Sequence, residues 1–200
     1  MTVQTVIYYH WIMPRPKSDE KRSAILEAAT RFIVRHGLSA PTAGIAKEAG
    51  VANGSLFTYF RTKADLFNQL YLEIKAEMAS AAMKDIRQVA DVREEYFRVW
   101  ENWTKWAVSN PEKRRVLAQL SVSDELTSET RMAGHKTMAP MADLLKRVVA
   151  NGPMSKAAMS FVAALMNATA EVTIDAMSQD PTHAKKHCKM GFDALWRMLT

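Results

Sequence analysis

Ile25, Ala28, Ala29 and Phe32 stand at i, i+3, i+4 and i+7 in a run that opens at Ser18-Asp19-Glu20 and stops at His36-Gly37. That spacing lays one apolar stripe along a helix of 3.6 residues per turn. Ser18 reads as an N-cap, and Asp19 and Glu20 put negative charge at the positive end of the helix dipole. A glycine behind a basic last turn supplies the stop, so the first helix is expected over about Asp19 to His36. Punctuation of this kind recurs sparsely, with only seven Gly and seven Pro in 200 residues. Ala, Leu, Met, Lys, Arg and Glu fill the rest, which predicts an all-α chain and argues against an all-β one.

After the turn cluster Ser39-Ala40-Pro41-Thr42 comes a very short helix, Ala43 to Ala49, with Ile45, Ala46 and Ala49 on one side. Gly50-Val51-Ala52 separates it from a second short helix, Asn53 to Phe60. There Leu56 and Phe60 face inward at i, i+4, and Ser55, Thr58 and Tyr59 point elsewhere. Two short helices across a three-residue glycine turn predict a helix-turn-helix. Thr62 and Asp65 then have capping-box spacing ahead of Leu66, Leu70 and Ile74, which continue the apolar face of a long helix. Further helices are expected at roughly 91–109, 112–120, 125–150, 155–178 and 182–199, with Pro140 kinking or interrupting the third of these.

Charge divides the chain. Residues 1–63 carry nine Lys/Arg against four Asp/Glu, and residues 64–200 carry eighteen against seventeen. A basic excess gathered in one segment is what a polyanion-binding module shows. The expected organisation is a tail and basic arm over 1–18, a helix-turn-helix head over 19–63 and a near-neutral helical body over 64–200. The single cysteine, Cys188, has no partner for a disulfide or a structural zinc, and no stretch is apolar and long enough for a signal or membrane span. A cytoplasmic protein with no cofactor and no membrane partner is expected.

The head reads RSAILEAATRFIVRHGLSAPTAGIAKEAGVANGSLFTYFRTKADLF and resembles the N-terminal domain of the TetR family of transcriptional regulators. Ile25, Ala28, Ala29, Phe32, Gly37, Ile45, Ala46, Ala49, Gly50, Val51, Gly54, Leu56, Phe57, Tyr59, Phe60, Lys63 and Leu66 carry the likeness at the family's spacing, over about fifty residues. The resemblance implies that Asn53, Gly54, Ser55, Phe57, Thr58, Tyr59 and Lys63 approach DNA, joined by Thr42 and Ala43 from the preceding helix. The family's usual cap of the reading helix is Ala52 here, which leaves Asn53 to cap, and its usual tyrosine is Phe57. Pro14-Arg15-Pro16-Lys17 resembles the family's basic arm. The likeness further implies a repressor released from a palindromic operator by a small, largely apolar effector of unknown identity.

Physical reasoning supports the same assignment. A short exposed helix fits the B-DNA major groove, roughly 12 Å wide, and polar residues near its N-terminus offer donors and acceptors to base edges and phosphates. Lys63 adds an ammonium at the start of the next helix.

In the body, Tyr96, Val99, Trp100, Trp103, Trp106 and Ala107 fall on one arc of a helix. That stripe has two readings, core and ligand pocket, with Trp100 and Trp103 the candidate lining residues. The run 155–178 is apolar on more than one side, with Phe161, Leu165 and Val172, and the last helix repeats Phe192, Leu195, Trp196 and Leu199 at i, i+3, i+4, i+7. Together they resemble the two C-terminal helices that pair with their copies in a TetR-type homodimer. Asn167 and Glu171, at i, i+4, either order a pocket or are satisfied at that interface. Two readings from other classes remain: a helical protein-interaction module without DNA binding, and a metal-dependent enzyme using His183 and His187, four residues apart. No nucleophile elbow or phosphate-cradling glycine loop accompanies those histidines.

Overall fold

The computed structural model of the protein describes residues 17–87 and 91–200, and among them the chain is all helical, with ten α-helices and one 3-10 turn. α1 (Lys17–His36) starts two residues before the expected boundary, so Ser18 lies inside its first turn rather than ahead of it. The expected arm residues Pro14 to Pro16 and the tail before them lie outside the described residues. α2 (Thr42–Glu48) and α3 (Asn53–Tyr59) flank a turn in which Gly50 has φ +69°, a left-handed conformation that costs glycine nothing. Ala52 occupies the N-cap position of α3 with no side-chain cap, and Asn53 is the first helical residue. The expectation that Asn53 caps is therefore corrected.

α4 (Lys63–Ala82) is capped as the Thr62/Asp65 spacing predicts. The Asp65 amide donates to Thr62 Oγ1 at 3.0 Å, and Asp65 Oδ2 accepts from the Arg61 amide at 2.8 Å. α5 (Val92–Ser109) is capped by Asp91, which accepts from the Arg93 and Glu94 amides, and α6 (Pro111–Ser121) opens on its proline. The run expected as one helix over 125–150 is two, α7 (Ser128–Thr137) and α8 (Ala139–Val149). They break at Met138 because Pro140 lacks an amide donor and sits in the first turn of α8. α9 (Met159–Gln179) begins four residues later than expected, since the amides of Ser155 and Ala157 close turns onto Gly152 and Met154. The 3-10 turn Pro181–His183 then leads into α10 (Ala184–Leu199).

Two apolar clusters organise these helices. The first joins α1, α2, α3 and the N-terminal half of α4 through Ile25, Ile45, Leu56, Phe60 and Leu66, and it also takes in Val116 and Leu120 of α6. The second runs from Met78 and Ala82 of α4 through α5, α8, α9 and α10. α4 thus belongs to both, and α6 touches the first cluster while packing on α4 and α5. α9 and α10 pack closely at Gly191, where a Cβ would sit 2.0 Å from Thr173 Oγ1.

Candidate functional site

The outward face of α3 is fixed by its inward one. Leu56 and Phe60 are fully buried, and Asn53, Gly54, Ser55, Phe57 and Thr58 are exposed on the same two turns. Phe57 is 41% exposed, a large apolar ring that the fold leaves partly uncovered. Thr58 Oγ1 donates to the Ser55 carbonyl at 2.7 Å, while Tyr59 is half-buried against the first cluster. Thr42 and Ala43 lie in the first turn of α2, half-buried and exposed respectively. Lys63 is half-buried, its Nζ 5.4 Å from the centre of the Phe67 ring.

Charge around this face is selective. Arg31 and Arg35 both pair with Glu48, and Arg22 reaches Gln69 and Glu73, so those cations are answered within the protomer. Lys47 and Arg61 are exposed and have no ion pair among the described residues. They are the cations sequence reasoning left out. The missing signal was tertiary, since only the folded head shows which arginines Glu48 neutralises.

Trp103 and Asn167 line two adjoining cavities in the body. The larger, about 260 Å3, lies among α4, α5, α7, α8 and α9 and has Met138, Met141, Met159 and Met166 in its wall. The smaller, about 180 Å3, adds Trp106, Arg114 and Glu171. Both are bordered by Lys75 and Met78 of α4. Glu171 is tied to Arg114 at 3.0 Å, and Arg114 also binds Asp175. Trp100, by contrast, is 1% exposed and borders neither cavity. Its Nε1 donates to the Cys188 carbonyl, so it is core and its expected ligand role is corrected. Lys75 went unpredicted because nothing in a helical period distinguishes a lysine at a cavity wall from one at the surface.

Residues 25–70 match the family model described as bacterial regulatory proteins, tetR family. Over these residues the head is similar to the N-terminal domain of the TetR family. An uncharacterized HTH-type transcriptional regulator of Bacillus subtilis is 35% identical over 66 residues, 32% of this chain and 35% of that protein. A Haemophilus influenzae HTH-type transcriptional regulator is 30% identical over 98 residues, 48% of this chain and 52% of its own length. The matched stretches thus span between a third and about half of these curated relatives. A solved structure of a putative tetR family transcription regulator from Shewanella sp. PV-4 superimposes with a TM-score of 0.79 at 26% identity, covering 88% of this chain and 96% of that one.

The pairing that the resemblance implies directs attention to α9 and α10. Phe161 and Val172 of α9 are 54% and 72% exposed, with half-buried Leu165 on the same stripe. Phe192 and Leu195 are at most 1% exposed and pack inside the protomer, Phe192 against Tyr96, Phe97 and Trp196. These two expected interface residues are corrected to core, because the α10 stripe at i, i+3 faces α5 and α9. Trp196 is half-buried, with the Arg93 guanidinium 5.7 Å from its ring. The large apolar side chains that α10 exposes are Met190 and Met198, which lie off the stripe of its larger aromatic and aliphatic residues.

His183 and His187 meet a carboxylate rather than each other. His183 Nδ1 and His187 Nε2 each lie 3.0 Å from Asp180 Oδ2. Among the described residues no group of three His, Cys, Asp or Glu side chains is arranged to hold a metal ion. No described helix is long and apolar enough to cross a membrane.

Proposed function

We propose that the protein is a homodimeric, sequence-specific DNA-binding regulator, a repressor of the cytoplasm that a small and largely apolar effector releases from a palindromic operator. One observation carries the reading. α3 anchors itself on Leu56 and Phe60 and turns Asn53, Ser55, Phe57 and Thr58 outward on a basic head. In this reading α3 lies in the major groove, Thr42 and Ala43 approach the backbone, and Tyr59, Lys63, Lys47 and Arg61 contribute phosphate contacts. Two heads are needed for two half-sites, and the stripe of exposed Phe161 and Val172 with half-buried Leu165, together with Met190 and Met198, is the surface through which two copies pair. The cavities at Trp103, Asn167 and Glu171 receive the effector.

Selection of bound duplexes from random DNA tests the reading. A palindromic consensus is expected, and recovery of no sequence above background contradicts it. Phe161→Glu and Val172→Lys, both at exposed positions, are expected to give a folded monomer by sedimentation with weak DNA binding; an unchanged dimer moves the interface elsewhere.

A further inference from the structure

From the charges around the Trp103 cavities, we infer that Lys75 receives the carboxylate of an anionic amphiphile, an effector with one acidic head group on a flexible apolar body. The inference rests on the reading of these cavities as the effector site and adds the ligand's charge and its polarity in the cavity.

Lys75, His135 and Lys146 are the ionisable side chains that line the larger cavity, and no carboxylate joins them. Two further charges near the site are already answered. Lys146 donates to Asp143 at 2.8 Å, and Arg114, in the smaller cavity, is held by Glu171 and Asp175. Lys75 is different. Among the described residues its ammonium has no ion pair and no hydrogen-bond acceptor, and the feature nearest to a partner is the face of the Tyr71 ring, 5.7 Å away. It is half-buried between Tyr71 and Met78, each buried and one turn away on α4. Burial correspondingly pushes its pKa down.

An ammonium drawn out of water without a counterion costs free energy that a methionine at the same place would not. An anion in the cavity reverses that sign, because the pair forms where screening is weak. A cation would meet Lys75 and His135 with no carboxylate to answer it. A neutral ligand would leave the ammonium as unpaired as before, and dry as well. One lysine suits one negative charge, whereas a phosphate, with more charge to neutralise, calls for several cations or an arginine fork.

The rest of the wall suits the other end of such a ligand. Met78, Met138, Met141, Met159 and Met166 are unbranched thioethers that adjust to a flexible chain, with Leu145 beside them. Lys75 and Asn167 border both cavities, which places the head group where the two adjoin and directs the apolar body into the larger one. The Asn167 amide, without a hydrogen bond to any described residue, supplies a second donor at that end. At about 260 Å3 the larger cavity lies near the small end of ligand sites, so the body is of medium length.

The experiment compares three probes of one chain length below their micellar concentrations, decanoate, 1-decanol and decyltrimethylammonium, by tryptophan fluorescence and calorimetry on the wild-type protein and on Lys75→Met and Lys75→Arg. Decanoate is expected to bind wild type about tenfold or more tighter than decanol, the scale of a charge-assisted hydrogen bond, with the cation weakest. Lys75→Met removes that preference while decanol still binds, and Lys75→Arg keeps it. Equal affinity for decanoate and decanol in wild type, or a preference that survives in folded Lys75→Met, overturns the head-group assignment and leaves the cavity as a neutral-ligand site. Failure of all three probes to bind, or binding unaffected by Trp103→Ala, overturns the head-group assignment together with the cavity reading beneath it.

Discussion

The indole Nε1 of Trp100 donates to the main-chain carbonyl of Cys188 across 3.1 Å, joining the middle of α5 to α10 inside the second cluster. The Cys188 thiol lies 3.5 Å from Thr104 Oγ1, and burial pushes its pKa up. Thiolate is the reactive form, so a buried thiol with a raised pKa reacts only when the helix opens. A thiol reagent is expected to modify native Cys188 at least about a hundredfold more slowly than the same residue in denaturant. Equal rates, read by mass spectrometry or absorbance, would place α10 off the core.

Tyr96 presents the opposite case to Trp100. It is 3% exposed, and its hydroxyl is a buried polar atom without a hydrogen-bond partner among the described residues. Desolvation raises its pKa well above the ordinary tyrosine value. An unpaired buried hydroxyl costs on the order of 1–3 kcal/mol, so Tyr96→Phe is expected to leave stability unchanged or raise it by about 1–2 kcal/mol. Urea unfolding checks this; a lower midpoint at constant slope would mean that the hydroxyl is satisfied in solution.

What the sequence disclosed and what it withheld separate along physical lines. Local signals carried far: the Thr62/Asp65 cap, the glycine turn at Gly50 and the inward pair Leu56 and Phe60 are all near-neighbour chemistry. Depth did not carry. A stripe at helical spacing marks one side of a helix but not what covers it, so Trp100 and Trp103 looked alike although one is core and the other borders two cavities. Phe192 and Leu195 misled for the same reason, since burial inside a protomer and burial between protomers demand the same residues. Charge partnership across long separations, such as Glu48 with Arg31 and Arg35, was invisible for want of tertiary contacts.

Lys63 and Tyr59 flank the turn after α3. Lys63→Ala is expected to weaken binding to all duplexes and to lower the salt slope by about one, the signature of one lost phosphate contact. Tyr59→Ala is expected to weaken binding to all duplexes as well, and to be less well folded than Lys63→Ala because its ring packs on the head core. Unchanged affinity in both folded variants would remove them from the interface.

Asp180 gives the α9–α10 junction a defined acid response. Hydrogen bonds from His187 and then His183 hold its carboxyl below the usual carboxylate range. A carboxyl whose pKa is depressed on folding stabilises the protein at pH values above its unfolded pKa, about 4, and loses that contribution as pH falls through the folded value. Asp180→Asn is therefore expected to be less stable than wild type at pH 6, with the gap closing as the pH drops below 4. A gap that does not change between pH 6 and pH 2 in urea titrations would show that the carboxylate's charge contributes nothing there.

A dimeric regulator places two heads on one duplex. Titration of the wild-type protein onto the duplex enriched by selection, and onto a scrambled duplex of equal composition, measures this directly at several salt concentrations. Two protomers per site, an affinity that falls steeply with salt, and a preference for the selected duplex of at least about 10³ are the expected results. Equal affinity for the two duplexes, or one protomer saturating the site, would contradict the account.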